Sequence, residues 1–80
     1  MKEVQTMYVI AYYANEKLYY YNMDFSTLYG AYYKAISLAN HYHFQIEILD
    51  KTTGEIMGTF FADQPLYISD TMKKTIPIFG

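Results

Sequence analysis

Apolar residues in the first quarter of the chain fall on both parities. Residues 4–14, VQTMYVIAYYA, are rich in β-formers. The polar break NEK at 15–17 and the renewed run LYYYNM read as a hairpin. With a two-residue turn at Asn15 and Glu16, Tyr13 lies opposite Leu18, Tyr12 opposite Tyr19, Ala11 opposite Tyr20 and Ile10 opposite Tyr21. One face then carries Met7, Val9, Ala11, Tyr13, Leu18 and Tyr20; the other carries Tyr8, Ile10, Tyr12, Tyr19, Tyr21 and Met23. A one-residue slip exchanges the two sets, yet both faces stay apolar in either register.

The pattern changes period at MDFSTLYG. Asp24 suits the N-cap, with Met23 and Leu28 at the hydrophobic-staple positions, and a helix is expected from about Phe25 to near Asn40 or His41. Leu28, Ala31, Tyr32, Ala35, Ile36, Leu38, Ala39 and Tyr42 share one side, and Tyr29 and Tyr33 widen it. The apolar arc reaches roughly 220°, against the ~100° of a simple core-facing stripe, so this helix asks for more than one neighbour. Gly30 within it costs about 1 kcal/mol relative to alanine unless close packing requires it.

Phe44, Ile46 and Ile48 alternate with His43, Gln45 and Glu47, the period of a half-buried strand. DKTTGE supplies a turn, with Asp50 to open it and Gly54 for a positive φ. Glu55–Phe61 is the return strand, and Gly58 within it marks a bulge or a close approach of another element. Beyond Asp63, QPLYISDTMKK reads either as a short helix, with Pro65 near its start and Lys73 and Lys74 at its end, or as an arm lying on the sheet. TIPIFG reads as extended. The expected fold is α+β: a four-stranded antiparallel sheet (ββαββ, hairpin–helix–hairpin) with one long helix packed on one face and a C-terminal arm. Residues 1–62 form the core domain, and residues 63–80 the arm or short helix docking on it.

Composition narrows the function classes. Eighty residues make one domain, and 52% apolar against 18% charged residues excludes a disordered chain. There is no cysteine, so no disulfide or zinc-thiolate site supports the fold. Net charge is −2 and every basic side chain is a lysine, which removes the arginine fork suited to phosphate and guanine and disfavours nucleic acid as a partner. Residues 1–6 lack the marks of a signal peptide, and no apolar run approaches the ~18 residues of a membrane span; a cytoplasmic protein with no membrane partner is expected.

Catalytic chemistry finds no constellation. Ser26, Ser37 and Ser69 lack a nucleophile-elbow context. His41 and His43 could share one side of an extended segment but have no third ligand at a metal-site spacing. Glu47 and Glu55 sit where alternating charge marks a solvated strand face, and the glycines form no phosphate-cradling loop. The expectation is a non-enzymatic protein with no cofactor and no metal.

Tyrosine is the remaining signal. Ten of the eleven tyrosines lie between residues 8 and 42. Some must be core rings with wet hydroxyls, Tyr32 and Tyr42 first. A sheet with one helix has one covered face, and the opposite face is expected to hold Tyr8, Tyr12, Tyr19 and Tyr21, flanked by Tyr29 and Tyr33. Such a patch exceeds the scatter on a free monomer and suits a protein partner, because tyrosine combines large area with low rotamer entropy. The partner is expected to be a host complex or a second copy, with a homodimer favoured. By analogy alone, short acidic cysteine-free domains of this kind are frequent among phage and mobile-element accessory proteins that inhibit by steric occlusion, as anti-CRISPR and other anti-defence proteins do. Two alternatives use the same rings: base stacking with a single-stranded nucleic acid, which needs more cations than Lys17 and Lys34 supply, and a small aromatic ligand between sheet and helix, which needs a concavity the sequence does not reveal.

Overall fold

The computed structural model describes residues 6–79. Strands β1 (Tyr8–Ala14) and β2 (Lys17–Phe25) precede the helix α1 (Leu28–Tyr42); β3 (Gln45–Asp50), β4 (Ile56–Phe61) and β5 (Gln64–Ile68) follow, then a short helix α2 (Asp70–Thr75) and a 3₁₀ turn at Pro77–Phe79. All neighbouring strands are antiparallel, in the order β2-β1-β3-β4-β5. The class is the α+β arrangement expected, but the sheet has five strands rather than four. The part of the first strand expected before Thr6, and the final Gly80, lie outside the described residues.

The first hairpin closes on Asn15 and Glu16, both at positive φ (53° and 63°), the geometry whose twist matches flanking strands. Its register runs Tyr13–Leu18, Tyr12–Tyr19 and Ala11–Tyr20, as expected. It then departs from expectation: the ladder slips between Ala11 and Val9, so that Val9 pairs with Asp24 and Tyr8 with Phe25, and Tyr21 is not the partner of Ile10. This irregularity lengthens β2 and keeps Asp24 in the sheet, where it forms an ion pair with Lys51 rather than capping the helix. Thr27 caps α1 instead, its Oγ1 accepting from the Gly30 N–H at 3.0 Å. The helix ends one turn-residue later than expected, on His43 in the left-handed region, whose N–H donates to the Ala39 carbonyl.

The fifth strand overturns the expectation for residues 64–68. Ala62 takes a positive φ of 53°, which lets the chain reverse directly after β4. Pro65 is tolerated because β5 is an edge strand, where a missing N–H leaves no ladder bond unmade. The helix therefore starts only at Ser69, a buried N-cap whose Oγ accepts from the Met72 N–H at 3.1 Å.

The core lies between α1 and one face of the sheet. The helix contributes Leu28 and the stripe Ala31, Ala35 and Ala39; the sheet contributes Ile10, Ile46, Ile48, Met57 and Phe60; α2 and the segment after it add Met72 and Ile76. Alanine at every fourth position presents a flat helical face, so the volume between the layers comes from the sheet side. Phe79 packs edge-on to Tyr32 and lies beside Phe60, which places the C-terminal turn on this same side.

Gly58 is a close approach. A Cβ there would meet Met72 Sδ and Phe60 Cε2, both at 3.0 Å, and the Phe60 ring is fully buried and held between Tyr32 and Phe79. Gly58→Ala is expected to destabilise the fold by about 1–3 kcal/mol despite alanine's better strand preference. Urea unfolding checks it: an unchanged midpoint would mean the ring can move aside.

Candidate functional site

The helix covers the face that holds the even-numbered residues of β1. The reason is register: β1 pairs with β3 as Ile10–Ile48 and Tyr12–Ile46, and β3 pairs with β4 as Ile46–Phe60, so these side chains share one face and form the core. This corrects the placement expected for Tyr8, Tyr12, Tyr19 and Tyr21, which belong to the helix side and not to the opposite face. Tyr8, Tyr12 and Tyr21 are half-buried against the core, and Tyr19 stacks on Tyr12 at 5.5 Å between ring centroids. Tyr29 and Tyr33 form a separate exposed pair on the helix, with centroids 6.1 Å apart.

Three of those six tyrosines come together. Tyr12, Tyr19 and Tyr21 line a cavity of about 420 Å³ with Ala14, Leu38, Tyr42, Phe44 and Ile46, between the C-terminal half of α1 and the β1–β2 hairpin. Its rings form a ladder: Tyr42 on Phe44 (5.7 Å, 10° between planes), Phe44 on Tyr12 (5.4 Å, 5°) and Tyr12 on Tyr19 (5.5 Å, 16°). The Lys34 ammonium lies over the Tyr21 ring, 5.3 Å from its centroid. The concavity between sheet and helix, invisible in the sequence, is therefore part of the fold.

The other face of the sheet is covered by no element among the described residues. Its rows follow the ladders: Leu18 and Tyr13; Tyr20, Ala11, Glu47, Thr59 and Tyr67; Val9, Leu49 and Ile56; and Phe61 beside Gln45. Tyr13, Leu18, Tyr20, Ile56, Phe61 and Tyr67 are all exposed, Tyr20 at 60%. Ala11, though fully buried, sits at a low point between Tyr20 across the ladder and Val9 and Tyr13 along the strand. Asp24 and Lys51, paired with each other, close one corner, and Glu47 is the one charge in the middle. Sequence reasoning found half of this face as the set containing Val9, Ala11, Tyr13, Leu18 and Tyr20. It missed Phe61 and Tyr67, and the β1–β3 register was the signal that would have told which set stays open.

Among the described residues no three histidine, aspartate or glutamate side chains gather as a metal site, and no helix is long and apolar enough to cross a membrane. His41 lies in the last turn of α1 and His43 is its C-cap, so the two do not share an extended segment.

Burial raises the Tyr32 phenol above its ordinary value, and its neighbour Tyr33 adds electrostatically to the rise. The folded state thus favours neutral Tyr32: its contribution is complete below the unfolded value near 10 and is lost as pH climbs through the higher folded value. Stability should therefore fall above about pH 10, and Tyr32→Phe should remove that part of the fall; an alkaline unfolding series that is identical for both proteins would contradict it. Comparisons with protein-family models, with curated proteins and with solved structures return no match for this chain.

Proposed function

We propose that this chain is a non-enzymatic protein-binding module whose working surface is the uncovered sheet face, and that the face mates with the same face of a second copy. One observation carries the reading: four aromatic side chains, Tyr13, Tyr20, Phe61 and Tyr67, each 45–60% exposed, stand on one side of one sheet with Leu18 and Ile56 beside them. Each aromatic of this kind buries some 150–250 Å² when covered, so the six side chains leave roughly 600 Å² open. That sum, divided by the polar column of Gln45, Glu47 and Thr59, is comparable with the largest apolar patch of an ordinary monomer, about 300–600 Å². Two such faces together supply roughly 1,200 Å², the lower bound of a stable specific interface.

Charge favours a second copy over an acidic or basic partner. The face has no unpaired cation among the described residues, since Lys51 is held by Asp24, and its one central charge is Glu47. The surface best matched to a nearly neutral apolar face is another of the same kind, and a two-fold axis makes every contact reciprocal. Packed sheet on sheet, the two copies would form a sandwich with their helices outside. The tyrosines that serve this role are Tyr13, Tyr20 and Tyr67, in place of Tyr8, Tyr12, Tyr19, Tyr21, Tyr29 and Tyr33. Base stacking with a single strand gains nothing from the geometry, because Lys17 pairs with Ala14 on the helix side and Lys34 lies on α1.

Light scattering or sedimentation at micromolar concentration should give twice the chain mass. Tyr20→Glu, at an exposed position, should keep the fold and weaken association by at least ~30-fold. Glu47→Gln should tighten it several-fold, by removing a charge that mating would desolvate. Tyr33→Glu, on the helix, should change nothing. A wild-type chain that stays monomeric at several hundred micromolar, or a Tyr20→Glu variant that associates as well as the wild type, would remove the proposal.

A further inference from the structure

The cleft on the helix side has a lining distinct from that of the open face. We propose that it binds a small, uncharged, flat aromatic molecule, between the C-terminal half of α1 and the β1–β2 hairpin. The inference is independent of the open face, with which the ring ladder shares no residue.

Size comes first. About 420 Å³ lies within the range of small-molecule sites, roughly 300–1,000 Å³, and near its lower end, which suits a compact ring system and not a long chain. The lining has no formally charged side chain, and its only side-chain polar atoms are the phenol oxygens of Tyr12, Tyr19, Tyr21 and Tyr42. No buried side-chain nitrogen or oxygen among the described residues lacks a hydrogen-bond partner, so the cleft demands no donor or acceptor from what enters it.

Charge on the ligand is disfavoured by the lining, which holds no formally charged side chain to pair with it. A cation entering the tyrosine-lined space also meets the Lys34 ammonium over the Tyr21 ring. An anion would have to shed its water against apolar walls, with the ammoniums of Lys34 and of Lys17, across the ladder from Ala14, outside the lining.

Flatness follows from the ladder. Adjacent rings of Tyr42, Phe44, Tyr12 and Tyr19 lie within 16° of parallel and 5.4–5.7 Å apart. Strand pairing holds the Tyr12–Tyr19 step, with Tyr12 opposite Tyr19 on one side and Ile46 on the other, while Tyr42 closes α1 and Phe44 leads into β3. The series ends at Tyr19, on the edge strand β2 and 39% exposed, where a further ring can approach. A planar molecule adds offset-stacked contacts to rings already aligned, whereas an aliphatic chain gains only dispersion and leaves the quadrupoles unmatched.

The test is a titration of the intact chain with N-phenyl-1-naphthylamine, a neutral two-ring fluorophore, with its emission as the readout. Saturable one-to-one binding in the micromolar range is expected, weakened at least about tenfold by Ala14→Phe, which fills the cleft, and by Tyr19→Ala, which removes the end of the ladder. Tyr20→Glu, on the open face, should leave it unchanged. Naphthyltrimethylammonium and decanol should compete at least about tenfold less well than 2-naphthol. Methyl NMR signals of Ala14, Leu38 and Ile46 should shift during the titration, which locates the probe even if one variant fails to fold. The proposal is overturned by absence of saturable binding to folded protein, by binding that survives both cleft variants or is lost with Tyr20→Glu, by decanol or the cation competing as well as 2-naphthol, or by shifts confined to the open face.

Discussion

The alanine stripe of α1 is the contact around which the rest of the molecule is arranged. Ala31, Ala35 and Ala39 are fully buried and short, so the helix can lie near the sheet, and the space between them is filled by Ile10, Ile46, Ile48 and Phe60 from below. A tyrosine is too long for such a gap and carries a hydroxyl that burial would strand. Tyrosines on the covered side are consequently displaced to its margins: Tyr8, Tyr12, Tyr21 and Tyr32 are half-buried around the aliphatic centre. The aromatic cleft is a product of this displacement. Around Ala39 the helix offers Leu38 and Tyr42, the first hairpin offers Tyr12 and Tyr19, Phe44 comes from the connection into β3, and large rings at a margin leave a concavity between them.

The same contact fixes what remains open. One helix laid across five strands covers one side of them, and α2 with the following turn joins it there, because Met72 and Ile76 complete the same core. Nothing described is left for the other side, although that side is made of Val9, Tyr13, Leu18, Tyr20, Leu49, Ile56, Phe61 and Tyr67. An amphipathic sheet would have placed polar residues there. The central column does so, with Gln45, Glu47 and the neighbouring Thr59, as does the corner closed by Asp24 and Lys51, and apolar residues flank the column on both sides.

Much of this was legible in residue order, and the failures have physical causes. The hairpin register was left open by the residues: the structure takes the two-residue turn at Asn15 and Glu16 and keeps that pairing only as far as Ala11, beyond which it slips. The long helix followed from its period, but the excess width of its apolar arc did not become burial, since Tyr29 and Tyr33, which widened it, are exposed. The helix N-terminus did not follow: Asp24 and Thr27 are both good caps, and the slip in β2 decided between them by giving Asp24 a lysine partner. β5 was hidden by Pro65, which argues against a central strand but is permitted at an edge, and edge position is a property of topology. The open face was hidden for a related reason. Alternation divided β1 and β2 into two apolar sets and could not rank them, since the ranking comes from the pairing of Tyr12 with Ile46, a contact between segments more than thirty positions apart.

Tyrosine is used in this chain for two unlike purposes that composition alone merges. On the helix side the rings of Tyr42, Phe44, Tyr12 and Tyr19, brought together by the end of α1, the start of β3 and the first hairpin, form a nearly parallel series whose members support one another. On the open face no aromatic pair of that kind occurs among the described residues: Tyr13, Tyr20, Phe61 and Tyr67 stand apart, separated by Ala11, Glu47 and Thr59. Preorganised rings favour recognition of one planar shape, because little rotamer freedom is lost when it enters. Separated rings around a shallow, small-residue floor favour interdigitation with another surface, where each ring fits between its counterparts. The two faces thus differ in what they can select, and the difference originates in a single register: the one that places Tyr12 rather than Tyr13 beneath the helix.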